Sequence, residues 1–95
     1  GDFEVIPNEE HAVLVMRYEW RGNAAVFVHN MSESPLEIKL GAKALGRHGG
    51  QLINLLSNAH SRASSKGKHC MLLEPYGYRW FRVGPLDYLL KREEM

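Results

Sequence analysis

The sequence predicts an all-β domain, a sandwich or a barrel. Two observations carry this. About seven extended runs are separated by turn residues roughly every 8–12 positions. The stretch from Leu72 to Val83 reads as two such runs joined at a corner of Pro75 and Gly77. Pro75 fixes φ and removes a ladder donor, and Gly77 supplies backbone freedom.

Phe3-Glu4-Val5-Ile6 is a short run that Pro7 stops, as suits an edge strand. From Ala12 to Trp20, Ala12, Leu14, Met16, Tyr18 and Trp20 point one way; Val13, Val15, Arg17 and Glu19 point the other. The second face begins apolar and ends charged, so this strand is expected to leave the core toward solvent. Arg21-Gly22-Asn23 is a hairpin turn. Ala24 to Asn30 returns with apolar residues on both faces, which predicts a central strand. Leu36, Ile38 and Leu40 alternate with Glu37 and Lys39, the pattern of a half-buried strand.

Gly41 to Gly50 is expected to be a loop, with one helical turn at Ala42–Leu45 as the alternative. Gln51 to Leu56 is a further strand, and the polar stretch from Ser57 to Lys68 a mobile loop. Lys68–Glu74 and Gly77–Val83 form a closing, hairpin-like pair. Tyr76, Tyr78 and Trp80 share one face of its second strand, with Phe81 and Val83 on the other. Leu86, Leu89 and Leu90 suit a short C-terminal helix.

Residues 1–95 make one domain, able to bury roughly 60–70% of its unfolded surface. Hydrophobic content of 44% against 24% charged is that of a folded protein rather than a disordered one. A formal net charge of +1 gives no basic footprint for nucleic acid and no polybasic membrane signal. No apolar run spans a bilayer and no signal peptide is visible. Cys70 is the one cysteine. It lies in an apolar run and is expected to be a buried, inert thiol, which fits a cytoplasmic compartment.

Candidate chemistry is sparse. His11, His29, His48, His60 and His69 make no zinc-ligand spacing with Cys70, so neither a metal nor a cofactor is expected. His29 is expected to be satisfied by a backbone carbonyl. Ser57, Ser61, Ser64 and Ser65 accompany His60 without a Gly-x-Ser-x-Gly elbow, and a nucleophile needs a preorganised base and oxyanion hole. Gly46-Arg47-His48-Gly49-Gly50 lacks the Gly-Lys-Ser/Thr ending of a phosphate loop. No two carboxylates are held about a cleft, as glycoside hydrolysis requires. Four of the nine aromatic residues fall within positions 76–81, so the core or main contact surface is expected around them. Trp20, Tyr76, Tyr78 and Trp80 are the candidate contact residues. They are expected to pack in the core or at an interface; the alternative is a flat platform for sugar stacking.

At Val26-Phe27-Val28-His29-Asn30-Met31-Ser32, and again at Leu73-Glu74-Pro75-Tyr76-Gly77-Tyr78-Arg79-Trp80-Phe81-Arg82-Val83, the chain resembles the C-terminal β-sandwich domain of α-amylase-family glycoside hydrolases. Within that clan it is most similar to trehalose synthases (maltose α-D-glucosyltransferases). Asn30 and Ser32 match the N-x-S pattern that ends the third strand, Leu55-Leu56-Ser57 resembles a strand end before a variable loop, and Pro75-Tyr76-Gly77-Tyr78-x-Trp80-Phe81 is the most specific part. The resemblance implies an antiparallel Greek-key sandwich of seven or eight strands packed against a catalytic (β/α)8 barrel of the same polypeptide. It also implies that the catalytic carboxylates belong to that barrel, so no catalytic residue carries over. The expected role is that of a non-catalytic accessory domain that packs on and stabilises the barrel, and self-association is compatible with it. A carbohydrate-binding module stacking α-glucans on exposed rings is the alternative, and a free-standing interaction module the third reading.

Overall fold

Alternation sorts the strands into two layers, and the turns decide where the chain changes layer. The computed structural model describes residues 2–46 and 48–84. Eight strands follow in order: β1 (Asp2–Val5), β2 (Val13–Trp20), β3 (Asn23–Asn30), β4 (Leu36–Gly41), β5 (Gln51–Asn54), β6 (Ser61–Arg62), β7 (Lys68–Leu73) and β8 (Tyr78–Val83), with one 3-10 turn at Ala42–Leu45. A six-stranded sheet has the order β1-β2-β3-β8-β5-β6, and β4 pairs with β7 in a two-stranded sheet. Every pairing is antiparallel. The expected all-β sandwich is the observed fold, and its crossovers between layers are non-local, of the Greek-key kind. The C-terminal helix expected over 86–92 lies outside the described residues.

Val13 and Val15 of β2, Val26 and Val28 of β3, Phe81 of β8 and Leu52 of β5 meet Ile38 and Leu40 of β4 and Leu73 of β7 in one core, with Leu45 of the 3-10 turn at its end. Burying each such side chain stabilises the fold by about 1.5–3 kcal/mol, less the chain entropy lost. β3 is central, between β2 and β8, as its two apolar faces required. Arg21 (φ 45°) and Gly22 (φ 79°) close the β2–β3 hairpin with two left-handed residues, a geometry that matches the strands' twist.

Three expectations are corrected. β7 and β8 are not a hairpin: β7 pairs with β4 and β8 with β3 and β5, so the Pro75–Gly77 corner carries the chain from one sheet to the other. There the Gly77 amide donates to the Glu74 carbonyl (2.8 Å), with Pro75 second in the turn and Tyr76 third at φ 55°. Cys70 is exposed rather than buried. On β7 the inward positions fall to His69, Met71 and Leu73, and parity turns Cys70 and Leu72 to solvent. The Ser57–Lys68 stretch is not wholly a loop, since Ser61–Arg62 forms β6 against β5.

Asn30 explains the N-x-S motif. It is fully buried where both crossovers meet. Its Nδ2 donates to the carbonyls of Ser34 (2.8 Å) and Glu74 (3.0 Å), and its Oδ1 accepts from the Ser32 amide and hydroxyl (both 2.9 Å). The Asn30 amide donates to the Gly77 carbonyl (2.8 Å) and the Tyr76 amide to the Ser32 carbonyl (3.0 Å). One side chain thus staples the β3–β4 turn to the β7–β8 corner.

Candidate interaction surface

The sequence puts aromatic side chains on the solvent side of the large sheet, and the register brings them together. Phe3 of β1 lies opposite Tyr18 of β2, Met16 of β2 opposite Phe27 of β3, Phe27 opposite Trp80 of β8, and His29 of β3 opposite Tyr78. Inner positions of the same strands hold the core valines and Phe81, so these rings share the outer face. Two clusters result. At one end Phe3 and Tyr18 lie 4.5 Å apart between ring centroids and Tyr18 and Trp20 5.3 Å, with the Arg82 guanidinium 5.9 Å over Trp20. At the other, Phe27 meets Trp80 edge-on at 5.7 Å, Trp80 and Tyr78 are 6.0 Å apart, and His29 stacks on Tyr78 at 5.7 Å. Trp80 Nε1–H donates to His29 Nε2 (3.3 Å), so that imidazole is satisfied by an indole and not by the expected backbone carbonyl.

Three of the four candidate rings therefore lie on one sheet face: Trp20, Tyr78 and Trp80. Tyr76 lies outside it, in the corner turn before β8, and is 66% exposed. Phe3 is 67% exposed, Tyr78 49% and Trp80 39%, while Tyr18, Trp20, Phe27 and His29 are half-buried, so the face is aromatic and open to solvent in part. Sequence reasoning passed over Phe3, Tyr18, Phe27, His29 and Arg82 as members of it. Alternation alone puts Tyr18 with Trp20 and Phe27 with His29; what it lacks is the register that lines up β1, β2, β3 and β8. The small sheet differs: its exposed side chains include Glu37 and Lys39 on β4 and Lys68 and Cys70 on β7.

The polar groups elsewhere are used for structure. His69 is fully buried. Its Nε2 lies 2.6 Å from the Gly49 carbonyl and its Nδ1 2.7 Å from Ser61 Oγ. A carbonyl only accepts, so Nε2 carries a proton, and in that tautomer Nδ1 accepts from the serine hydroxyl. The pair resembles a Ser–His dyad in composition, yet the imidazole is sealed from solvent and ties β7, β6 and the Gly49 turn together. A Cβ on Gly49 would clash with the Ala42 carbonyl oxygen, so only glycine fits there. Among the described residues no group of three or more His, Cys, Asp or Glu could hold a metal ion, and no helix is long and apolar enough to cross a membrane. Arg79 grips Glu74 with two 2.9 Å bonds and donates to the Leu72 carbonyl (3.2 Å). Hydrogen bonding from Arg79, with a backbone amide adding to it, pulls the Glu74 carboxyl down to about 2.

Comparison with known proteins places this arrangement. The model of the sucrose hydrolase-like C-terminal domain matches residues 22–82, well over half of the chain. The chain belongs to that family. This sucrose hydrolase-like C-terminal domain shares its fold with α-amylases of known structure. It is similar to AmyP in its complex with maltose (TM-score 0.78, 19% identity, covering 90% of this chain and 17% of that one). A variant of AmyP in complex with maltotriose gives the same figures. An Anoxybacillus α-amylase follows at TM-score 0.73 and 20% identity, covering 90% of this chain and 18% of that one. The chain thus spans less than a fifth of the length of the proteins it matches. No curated protein matches the sequence. The expected α-amylase-family C-terminal domain holds at this coarser level.

Proposed function

We propose that this domain is a non-catalytic accessory domain of an α-amylase-family enzyme that packs on its catalytic (β/α)8 barrel and stabilises it. One observation carries the reading: the outer face of the six-stranded sheet leaves Phe3, Tyr78 and Trp80 exposed and covers Tyr18, Trp20 and Phe27 only in part. Two aromatic clusters on one face of a small domain mark a contact surface, because leaving them wet forfeits the gain of burial. The outer side of β4 and β7 carries Glu37, Lys39 and Lys68 beside Leu72 and Cys70, and no ring.

The same motifs that resemble trehalose synthases make maltose and trehalose the first substrates to assay for the whole enzyme, and a cytoplasmic location goes with that reading. A single sugar platform built from Trp20, Tyr76, Tyr78 and Trp80 is less favoured. Tyr78 and Trp80 are tilted by 46° to each other, and Tyr76 stands in the corner turn. The test is to purify the parent enzyme with and without this domain. Removal is expected to lower the barrel's Tm by about 5 °C or more and to promote aggregation. An unchanged Tm and solubility would contradict the role.

A further inference from the structure

At the start of β8 the outer sheet face meets a cleft of about 370 Å³. One wall is the loop after β5, with Leu56, Ser57 and Ala59; the other is the β7–β8 corner, with Glu74, Tyr78 and Arg79. Its volume lies within the range of small-molecule sites.

Both walls are held in advance. Asn54 Oδ1 accepts from the amides of Leu56 (2.8 Å) and Ser57 (3.1 Å), its Nδ2 donates to the Ala59 carbonyl (3.4 Å), and its own amide donates to His60 Nδ1 (2.9 Å). Opposite, Arg79 is fixed by both Glu74 carboxylate oxygens and by the carbonyls of Tyr78 and Leu72. A site that does not reorganise loses less affinity to ordering.

The lining selects its ligand. Glu74 and Arg79 cancel in charge, so a free anion meets the carboxylate and a free cation meets the guanidinium. The Nη1 and Nη2 hydrogens of Arg79 are already spent on Glu74, Tyr78 and Leu72, so what the pair still offers a ligand hydroxyl is the free lone pairs of the Glu74 carboxylate. The Ser57 hydroxyl, which accepts from the Ala59 amide (3.1 Å), keeps its proton to donate. The half-exposed Tyr78 ring and Leu56 supply an apolar wall. A small molecule with an apolar face, several hydroxyls and no charge fits this set.

We propose that this cleft is a binding subsite for an uncharged glycosyl unit, with Tyr78 as the stacking ring, the Glu74 carboxylate held by Arg79 as the hydroxyl acceptor and Ser57 as the donor. It does not rest on barrel packing. Chemical-shift titration of the 15N-labelled 95-residue chain tests it, with maltose, glucosamine and glucuronate as probes. Maltose is expected to bind saturably with a Kd on the order of 1–10 mM, shifting amides within 54–59 and 74–79, and the charged sugars at least several-fold more weakly. Tyr78→Ala, which truncates a half-exposed ring and should leave amide dispersion intact, is expected to weaken maltose about tenfold. Glu74→Gln leaves the guanidinium unneutralised and is expected to reverse the preference toward glucuronate. No saturable shift up to roughly 50 mM maltose, shifts centred on Trp20 instead of the cleft, or a Tyr78→Ala chain that binds as before would overturn the subsite.

Discussion

The polar residues that matter most here do their work through a few short bonds. Glu74 is the clearest. Its carboxyl titrates near 2 in the folded chain against an ordinary 4.5, because Arg79 and a backbone amide hold the charged form. A lowered folded pKa means stability that is fully present above about 4.5 and is lost as pH falls toward 2. Urea midpoints measured across that window should fall more steeply for the native chain than for Glu74→Gln, with the two converging at its acid end. Parallel curves throughout would show that the pair does not act in the folded state. Cys70 and His69 carry a different lesson at this scale. Both stand in one apolar run, and hydrophobicity alone favoured burying the thiol. Strand parity decided otherwise, giving the inward position to the imidazole, which the core accepts because Ser61 and Gly49 satisfy both nitrogens.

Among the elements, strands with strict alternation were legible and connections were not. Leu36, Ile38 and Leu40 gave β4 directly, and the two apolar faces of β3 gave its central place. The Pro75–Gly77 corner was visible as a corner, but a hairpin and a layer crossover look alike in sequence. What separates them is long-range register: β8 inserts between β3 and β5, far away in the chain. β6, at two residues, is too short to show a pattern at all. Asn30 makes the crossover specific, so its loss should be felt at the scale of both turns. Asn30→Ala strands the Ser34 and Glu74 carbonyls and the Ser32 amide, and should cost roughly 2–4 kcal/mol in urea unfolding, a large share of a small domain's stability. Asn30→Asp keeps the acceptor, loses both donors and buries a charge, and should be no better. A cost below about 0.5 kcal/mol for Asn30→Ala would mean that the crossovers hold each other without the staple.

For the whole molecule, the two sheets are unequal in what they offer outward. Of the four aromatic candidates for contact, Trp20, Tyr78 and Trp80 share a face and Tyr76 does not. The cleft beside Tyr78 was not legible, because it arises where the loop after β5 and the β7–β8 corner meet, 20 or so residues apart in sequence. The large sheet's aromatic outer face, set against an outer side of β4 and β7 that carries no ring, is what makes the domain read as a part that docks rather than one that acts alone. Oxidative footprinting of the 95-residue chain, alone and within its parent enzyme, tests this most directly, since it labels aromatic and sulfur side chains in place. Phe3, Tyr18, Trp20 and Trp80 should be protected several-fold in the parent, while Cys70 on the small sheet labels equally in both. Equal labelling of the four rings, or protection of Cys70 in their stead, would contradict the account.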